Sequence, residues 1–391
     1  MKKDSLKSEI EAVYPRMVEL RRQFHQFPEL SFKEEKTSMQ VASILKDLGL
    51  DVRTGVGGNG VVAILEGTLP GRTVALRADM DALPIQDEKT CDYRSQVDGV
   101  MHACGHDAHM ASLLGVAQIL QQRKEEIRGR IVFLFQHAEE QIPGGAAQMI
   151  RAGALDGVDA VYGVHLWTPL PRGVVGIREG TLMAAADSFQ IQVTGKGGHG
   201  GLPHQAVDAV VTASHLVVNL QTIVSRQLDP LKSGVISVGK LQGGESFNVI
   251  AESAVLTGTV RTFDPEIRSD IQRQIGKVAE QTCQMFGAQC DYRYQWGYPA
   301  VVNHPAEACQ VAEVARWMLG KDQVWEISPM MAGEDFAYYL QERPGAFCFV
   351  GAGNEQKDFV YPHHHPRFDL DEEAMKISAE LMIHTALAAL K

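Results

Sequence analysis

Within nine residues, Met101–His109 (MHACGHDAH), the sequence places one thiol and three imidazoles. Cys104 and His106 form a Cys-x-His pair, and a helix through the stretch would set His102, His106 and His109 on one face at i, i+4 and i+7. Thiolate and imidazole together are ligands for zinc or another divalent transition metal. Further donors follow downstream: the paired carboxylates Glu139 and Glu140 in FQHAEE, His165 in GVHLW, and the run His363, His364, His365. The bland alternative for the nonapeptide is a buried cysteine in a helix that carries solvated histidines.

If Cys104, His106, Glu140, His165 and one histidine of the triple converge, the donors outnumber what one tetrahedral zinc takes, so two ions fit better than one. Glu139 is then left without a metal. Adjacent glutamates at a strand end point in different directions, so one can ligate while the other faces a water whose pKa a divalent ion lowers to about 7. A carboxylate placed there is a general base, and the chemistry is metal-assisted hydrolysis.

Such residues need a scaffold that brings distant segments together. Apolar residues at helical spacing (Leu6, Ile10, Val13, Met17, Leu20, Phe24) predict a helix over 4–27, stopped by Pro28. Ser31 to Glu34 reads as a capping box opening a second helix through Leu48. The segments GVVAILEG, TVALRADMDALP, RIVFLFQHAEE and AVYGVHLW are apolar runs separated by helical stretches, the signature of a mostly parallel sheet covered on both faces. Ligands bind beyond the carboxyl ends of such strands, where Asp79 and Asp81, Glu139 and Glu140, and His165 are expected. From about residue 187 the order becomes strand, helix, strand, strand, helix, strand, that of a ferredoxin-like domain. The expected organisation is α/β: a catalytic domain over 1–186 and 299–391, interrupted by an inserted domain over 187–298.

Composition narrows the partners. The chain has 391 residues, 45% apolar and 22% charged, and its formal charge of -11 with interspersed lysines argues against the concentrated basic patch of a nucleic-acid surface. Six cysteines lack any framework spacing, and MKKDSLKSEI has no apolar leader region, so a soluble cytoplasmic protein without a membrane span is expected.

The motifs RRQFHQFPELSFKEE, LRADMDALPI, MHACGHDAH, FQHAEE, GVHLW, GKGGHGGLPH, GESFNVI, GTVRTF, MAGEDFAYY and HHPRFD run from residue 21 to 369. In that order they resemble the M20 peptidase family, in the branch of N-acyl-amino-acid amidohydrolases, hippurate hydrolases and indoleacetyl-amino-acid hydrolases. The resemblance implies a zinc-peptidase-like catalytic domain and Cys104, His106, Glu140, His165 and His364 as ligands of two divalent ions, zinc first, with manganese, cobalt and nickel as other candidates. His364 is preferred over His365 because the family's ligand stands two before the proline. It further implies Cys104 as a bridge, Glu139 as general base and Asp81 as a residue orienting a ligand. His199, Asn248 and Arg261 would serve substrate from the inserted domain, with His199 reaching the neighbouring subunit of a homodimer or dimer-based homotetramer. The implied activity is hydrolysis of N-acyl-L-amino acids; a metallocarboxypeptidase or dipeptidase is the alternative within hydrolases, and an inactive binding module the alternative outside them. The chain departs from the family at His137, often proline, and at Gln141 and Ile142, where glycine often follows the paired glutamates. These departures bear on pocket shape and not on ligand positions.

Overall fold

The computed structural model describes residues 3–391. The chain divides into two compact units, one running through Leu182 and taking in Val301–Ser328 and Asp335–Lys391, the other comprising Met183–Ala300 and Pro329–Glu334.

The first unit is built on an eight-stranded sheet whose centre is parallel: Arg128–Gln136, Leu69–Asp79, Ala160–Pro171 and Gly345–Gly353. Ile131, Phe133, Leu134 and Phe135 are each fully buried, as a strand covered on both faces requires, and so this strand reads as a continuous apolar run. Asp51–Val56 and Gly60–Glu66 extend one edge antiparallel, and the short strands Val175–Ile177 and Val324–Glu326 form the other. The helix Lys3–Gln26 buries its whole predicted stripe and packs on the helix His106–Gln122, where Gly115 admits the Met17 side chain; a Cβ there would lie 2.8 Å from its sulfur. The last helix, Ala374–Ala389, joins the same layer.

Two local expectations are overturned. The nonapeptide is not one helix: His102 and Cys104 lie in the segment before it, Gly105 turns with φ +92°, and the helix starts at His106. His102 therefore shares no helical face with His106 and His109, and its ring nitrogens are buried without hydrogen-bond partners among the described residues. Nor is there a capping box at the helix Glu35–Asp47. Ser31 Oγ donates to Asp81 instead (2.6 Å), Glu34 accepts from the Phe32 and Ala138 amides, and Glu29 takes the first-turn amide and hydroxyl of Thr37 (2.8 and 2.9 Å).

The second unit is an antiparallel sheet, Gly234–Gly243, Ser253–Thr262, Ala185–Thr194, Gln289–Tyr298, with two helices, Ala209–Thr222 and Pro265–Phe286, on its apolar face. The order is the ferredoxin-like one. Ser253–Thr262 alternates buried and open residues, the pattern of a sheet with one covered face. Asp208 and Asp264 cap the two helices through backbone amides, and Gly287 ends the second with φ +73°. A separate two-stranded antiparallel ladder pairs Gly198–His199 with Val249–Ile250. Among the described residues no helix is long and apolar enough to cross a membrane.

Candidate metal centre

At the carboxyl end of Leu69–Asp79, a fully buried Asp79 accepts from Arg77 Nη1 (2.5 Å) and from His109 Nδ1 (2.6 Å). His109 Nε2 accepts from the Leu166 amide at 2.9 Å, so both of its ring nitrogens are used inside the fold. His106 is arranged differently. Its Nδ1 donates to the Asp81 carbonyl (2.9 Å), while Nε2 is buried with no hydrogen-bond partner, 3.9 Å from Glu140 Oε1. His165 likewise donates Nδ1–H to the Leu166 carbonyl (2.9 Å), turning a bare Nε2 toward Cys104 Sγ at 3.5 Å. His165 does not stand at a strand end, because its strand continues to Pro171; it lies two residues past Gly163, where pairing with Leu69–Asp79 stops.

Glu140 Oε1 lies 3.2 Å from His364 Nε2, off hydrogen-bond alignment, and the Glu140 amide donates to Asp81 Oδ2 at 2.9 Å. The donor atoms of Cys104, His106 and His165 lie within 4.8 Å of one another, and so do those of Cys104, Glu140 and His364. Cys104 belongs to both groups. His106, Glu139 and Glu140 form a third cluster of the same span. His365 stands apart, stacked on Tyr361 with its Nδ1 taken by the Arg367 amide.

The electrostatics ask for a cation. Burial, joined by the charges of Glu140, Glu139 and Asp79, pushes the Cys104 thiol well above its ordinary value. Burial also works against a charged His106, but Asp79 and Asp81 overrule it and push the group up to about 10, although Nε2 makes no hydrogen bond and its nearest carboxylate, Asp79, stands at 3.6 Å. A divalent ion would resolve both conflicts, with Cys104 able to hold it as a thiolate and His106 through the lone pair of Nε2 in place of a proton. The residues present therefore fit a metal centre.

Sequence comparison settles the family. Residues 75–388 match the peptidase family M20/M25/M40. The chain belongs to that family. It is 47% identical over 304 residues to the N-acyl-L-amino acid amidohydrolase of Geobacillus stearothermophilus, covering 78% of this chain and 82% of that one. It is 39% identical over 388 residues to thermostable carboxypeptidase 1 of Saccharolobus solfataricus, covering 98% of each. The crystal structure of a dinuclear metal-binding M20 peptidase from Bacillus subtilis superposes with a TM-score of 0.83 at 35% identity, covering 97% of this chain and 99% of that one. This M20 chain is thus a metal-dependent enzyme of the amidohydrolase and peptidase type.

A second polar cluster of the M20 chain was invisible in the spacing of its motifs. Arg21, with no exposed surface, donates to Asp107 (2.9 Å) and to Asp369 (2.7 Å), while His25 Nδ1 meets Asp107 at 2.7 Å. Asp107 follows His106 in the chain, and Asp369 follows His364 by a single loop, so this clamp ties together two donor-bearing segments. His363, another of the three adjacent histidines, also comes close, its Nδ1 lying 3.7 Å from Cys104 Sγ. His137, one of the departures, is buried beside Phe32 and Gly58 and faces Gln148 at 3.5 Å.

In the second unit, His199 and Asn248 line a cavity of about 670 Å³ with Glu245 and Glu252. His199 is exposed, its Nδ1 accepting from the Gly201 amide at 3.0 Å. Arg261 does not line that cavity. It sits on Ser253–Thr262, where Nη1 donates to Thr259 Oγ1 and to the Val260 carbonyl.

Proposed function

We propose that this chain hydrolyses the amide bond of N-acyl-L-amino acids, releasing a carboxylic acid and a free amino acid. The observation that carries the reading is the pair of donor groups meeting at Cys104, with a second glutamate beside them. Cys104, His106 and His165 would hold one divalent ion and Cys104, Glu140 and His364 the other, zinc being the first candidate for this mixed thiolate, imidazole and carboxylate set. Ions bound there would supply Lewis acidity toward the amide oxygen and acidify a water. Asp81 orients the centre from behind, since it holds His106 Nδ1 through its carbonyl and the Glu140 amide through its carboxylate.

Glu139, 5% exposed, has the work of the proton. Its carboxylate takes a proton from the attacking water and passes it to the amide nitrogen as the C–N bond breaks, so that the amine leaves neutral. Arg261 supports an α-carboxylate in the substrate: with Nη1 committed, Nε and Nη2 have no partner among the described residues, and those two donors suit a carboxylate bidentately. Arg261→Ala is expected to raise KM for N-acetyl and N-benzoyl amino acids far more than for the corresponding amino-acid amides. Assay of that panel together with dipeptides tests the whole reading; turnover of dipeptides alone would move the function to the carboxypeptidase side.

His199 would donate to the oxyanion from a neighbouring subunit of a dimer, which its exposed, glycine-flanked position on a short two-stranded ladder supports. Losing such a donor typically costs about 10² to 10³ in kcat. His199→Ala mixed with Glu139→Gln, under conditions that exchange subunits, is expected to regain activity because each hybrid holds one complete site. Exchange without recovery would place His199 outside the partner's site.

A further inference from the structure

His363 sits against the centre without belonging to the ligand set proposed above. Its Nδ1 faces Cys104 Sγ at 3.7 Å, and its Nε2 accepts from the Thr168 backbone amide at 3.3 Å. The ring is stacked on Trp167 with centroids 4.2 Å apart and planes 20° from parallel, with Phe368 at 4.8 Å on another side. Its orientation is therefore fixed by packing, and its tautomer by a main-chain donor that cannot turn into an acceptor.

That tautomer is the reverse of its neighbours'. His106 and His165 give their Nδ1 protons to carbonyls and present bare Nε2 lone pairs, the ligand form. In His363 the lone pair of Nε2 is used by Thr168, so a neutral ring carries its proton on Nδ1 and directs it at Cys104.

We propose that His363 is a positioning residue for the Cys104 thiolate, donating an Nδ1–H···Sγ hydrogen bond that draws electron density from the sulfur. This rests on the reading of Cys104 as a metal ligand. A donor on a ligating thiolate makes the sulfur a weaker electron donor and leaves the ions it holds more electrophilic, which favours attack on an amide carbonyl. Hydrogen-bond partners of this kind typically change activity or metal affinity by about 10- to 100-fold when removed.

Cobalt(II) is the probe, because thiolate-to-cobalt charge transfer reports the energy of the sulfur lone pairs directly. In the cobalt-loaded protein that band is expected, and it should vanish in Cys104→Ser. His363→Phe, which keeps an aromatic ring to stack on Trp167 but has no donor, should bind as much cobalt as the parent and move the band to longer wavelength. Its kcat should fall about 10- to 100-fold. His363→Leu gives the same reading if the phenylalanine variant does not fold, with far-ultraviolet circular dichroism as the check. A band that stays in place in the folded variants overturns the hydrogen bond and leaves Cys104 as ligand untouched. Loss of cobalt stoichiometry would make His363 a ligand and also overturn it. A parent protein with no thiolate band would instead remove the reading of Cys104, and the inference with it.

Discussion

Glu139→Gln is expected to bind its full complement of metal and to lose about 10² to 10⁴ in kcat, the usual worth of a positioned general base. Its neighbour should behave differently. Glu140 Oε1 stands 3.9 Å from His106 Nε2 and 3.2 Å from His364 Nε2, each a candidate ligand nitrogen, and the Glu140 amide is anchored to Asp81. On the proposed reading that carboxylate is a ligand, so Glu140→Gln should lower metal affinity as well as turnover. Two measurements separate the adjacent residues: metal content after dialysis, and kcat with metal in excess. Excess metal should restore part of the activity of Glu140→Gln and none of that of Glu139→Gln. The opposite pattern would exchange the two roles.

That the paired glutamates could be singled out from sequence follows from the periodicity of a buried parallel strand. Once RIVFLFQ is read as fully buried, the acids that follow must emerge at its carboxyl end, and the structure ends that strand at Gln136. The helix Lys3–Gln26 was legible for a similar reason, its stripe from Leu6 to Phe24 repeating at helical spacing up to a proline. What escaped sequence reading depends on contacts between distant residues or on a single φ angle. Gly105 alone breaks the expected helix through MHACGHDAH, and its φ of +92° is a tertiary outcome that the pattern of histidines cannot announce. Ser31 and Glu34 have the spacing of a capping box, yet Asp81, fifty residues away, takes the hydroxyl. His363 carries no signal distinguishing it from His364 and His365, because the distinction lies in which backbone amide meets which ring nitrogen.

The same limit hid the clamp at Arg21, whose removal is expected to be strongly destabilising. Arg21 has no exposed surface, and its partners Asp107 and Asp369 are themselves buried, at 0% and 4% exposed. Burial by itself would raise the carboxyl of Asp369; Arg21, with Lys89 and His25, reverses that and holds it below the ordinary carboxylate range. Arg21→Met removes the guanidinium and leaves Asp107 and Asp369 with only His25 and Lys89 as counter-charges, where breaking a buried pair typically costs about 3 to 5 kcal/mol. The dependence on pH has a definite sign. In the parent, Asp369 contributes stability that is present above its unfolded pKa of about 3.9 and lost as pH falls through the depressed folded value. In Arg21→Met the burial effect is no longer opposed by the guanidinium, so the folded pKa moves upward, and the folded state gains protons as the medium is acidified. The deficit in unfolding free energy, measured on metal-free protein, should therefore be larger at neutral pH than near pH 5. A deficit that is constant or grows toward acid would show that Asp369 does not depend on Arg21. Because Asp107 follows His106 and Asp369 belongs to the segment that carries His364, the folded fraction of Arg21→Met should also bind metal more weakly. Arg21→Lys, which restores a charge but not the fork that spans two carboxylates, should recover part of the stability and less of the metal affinity.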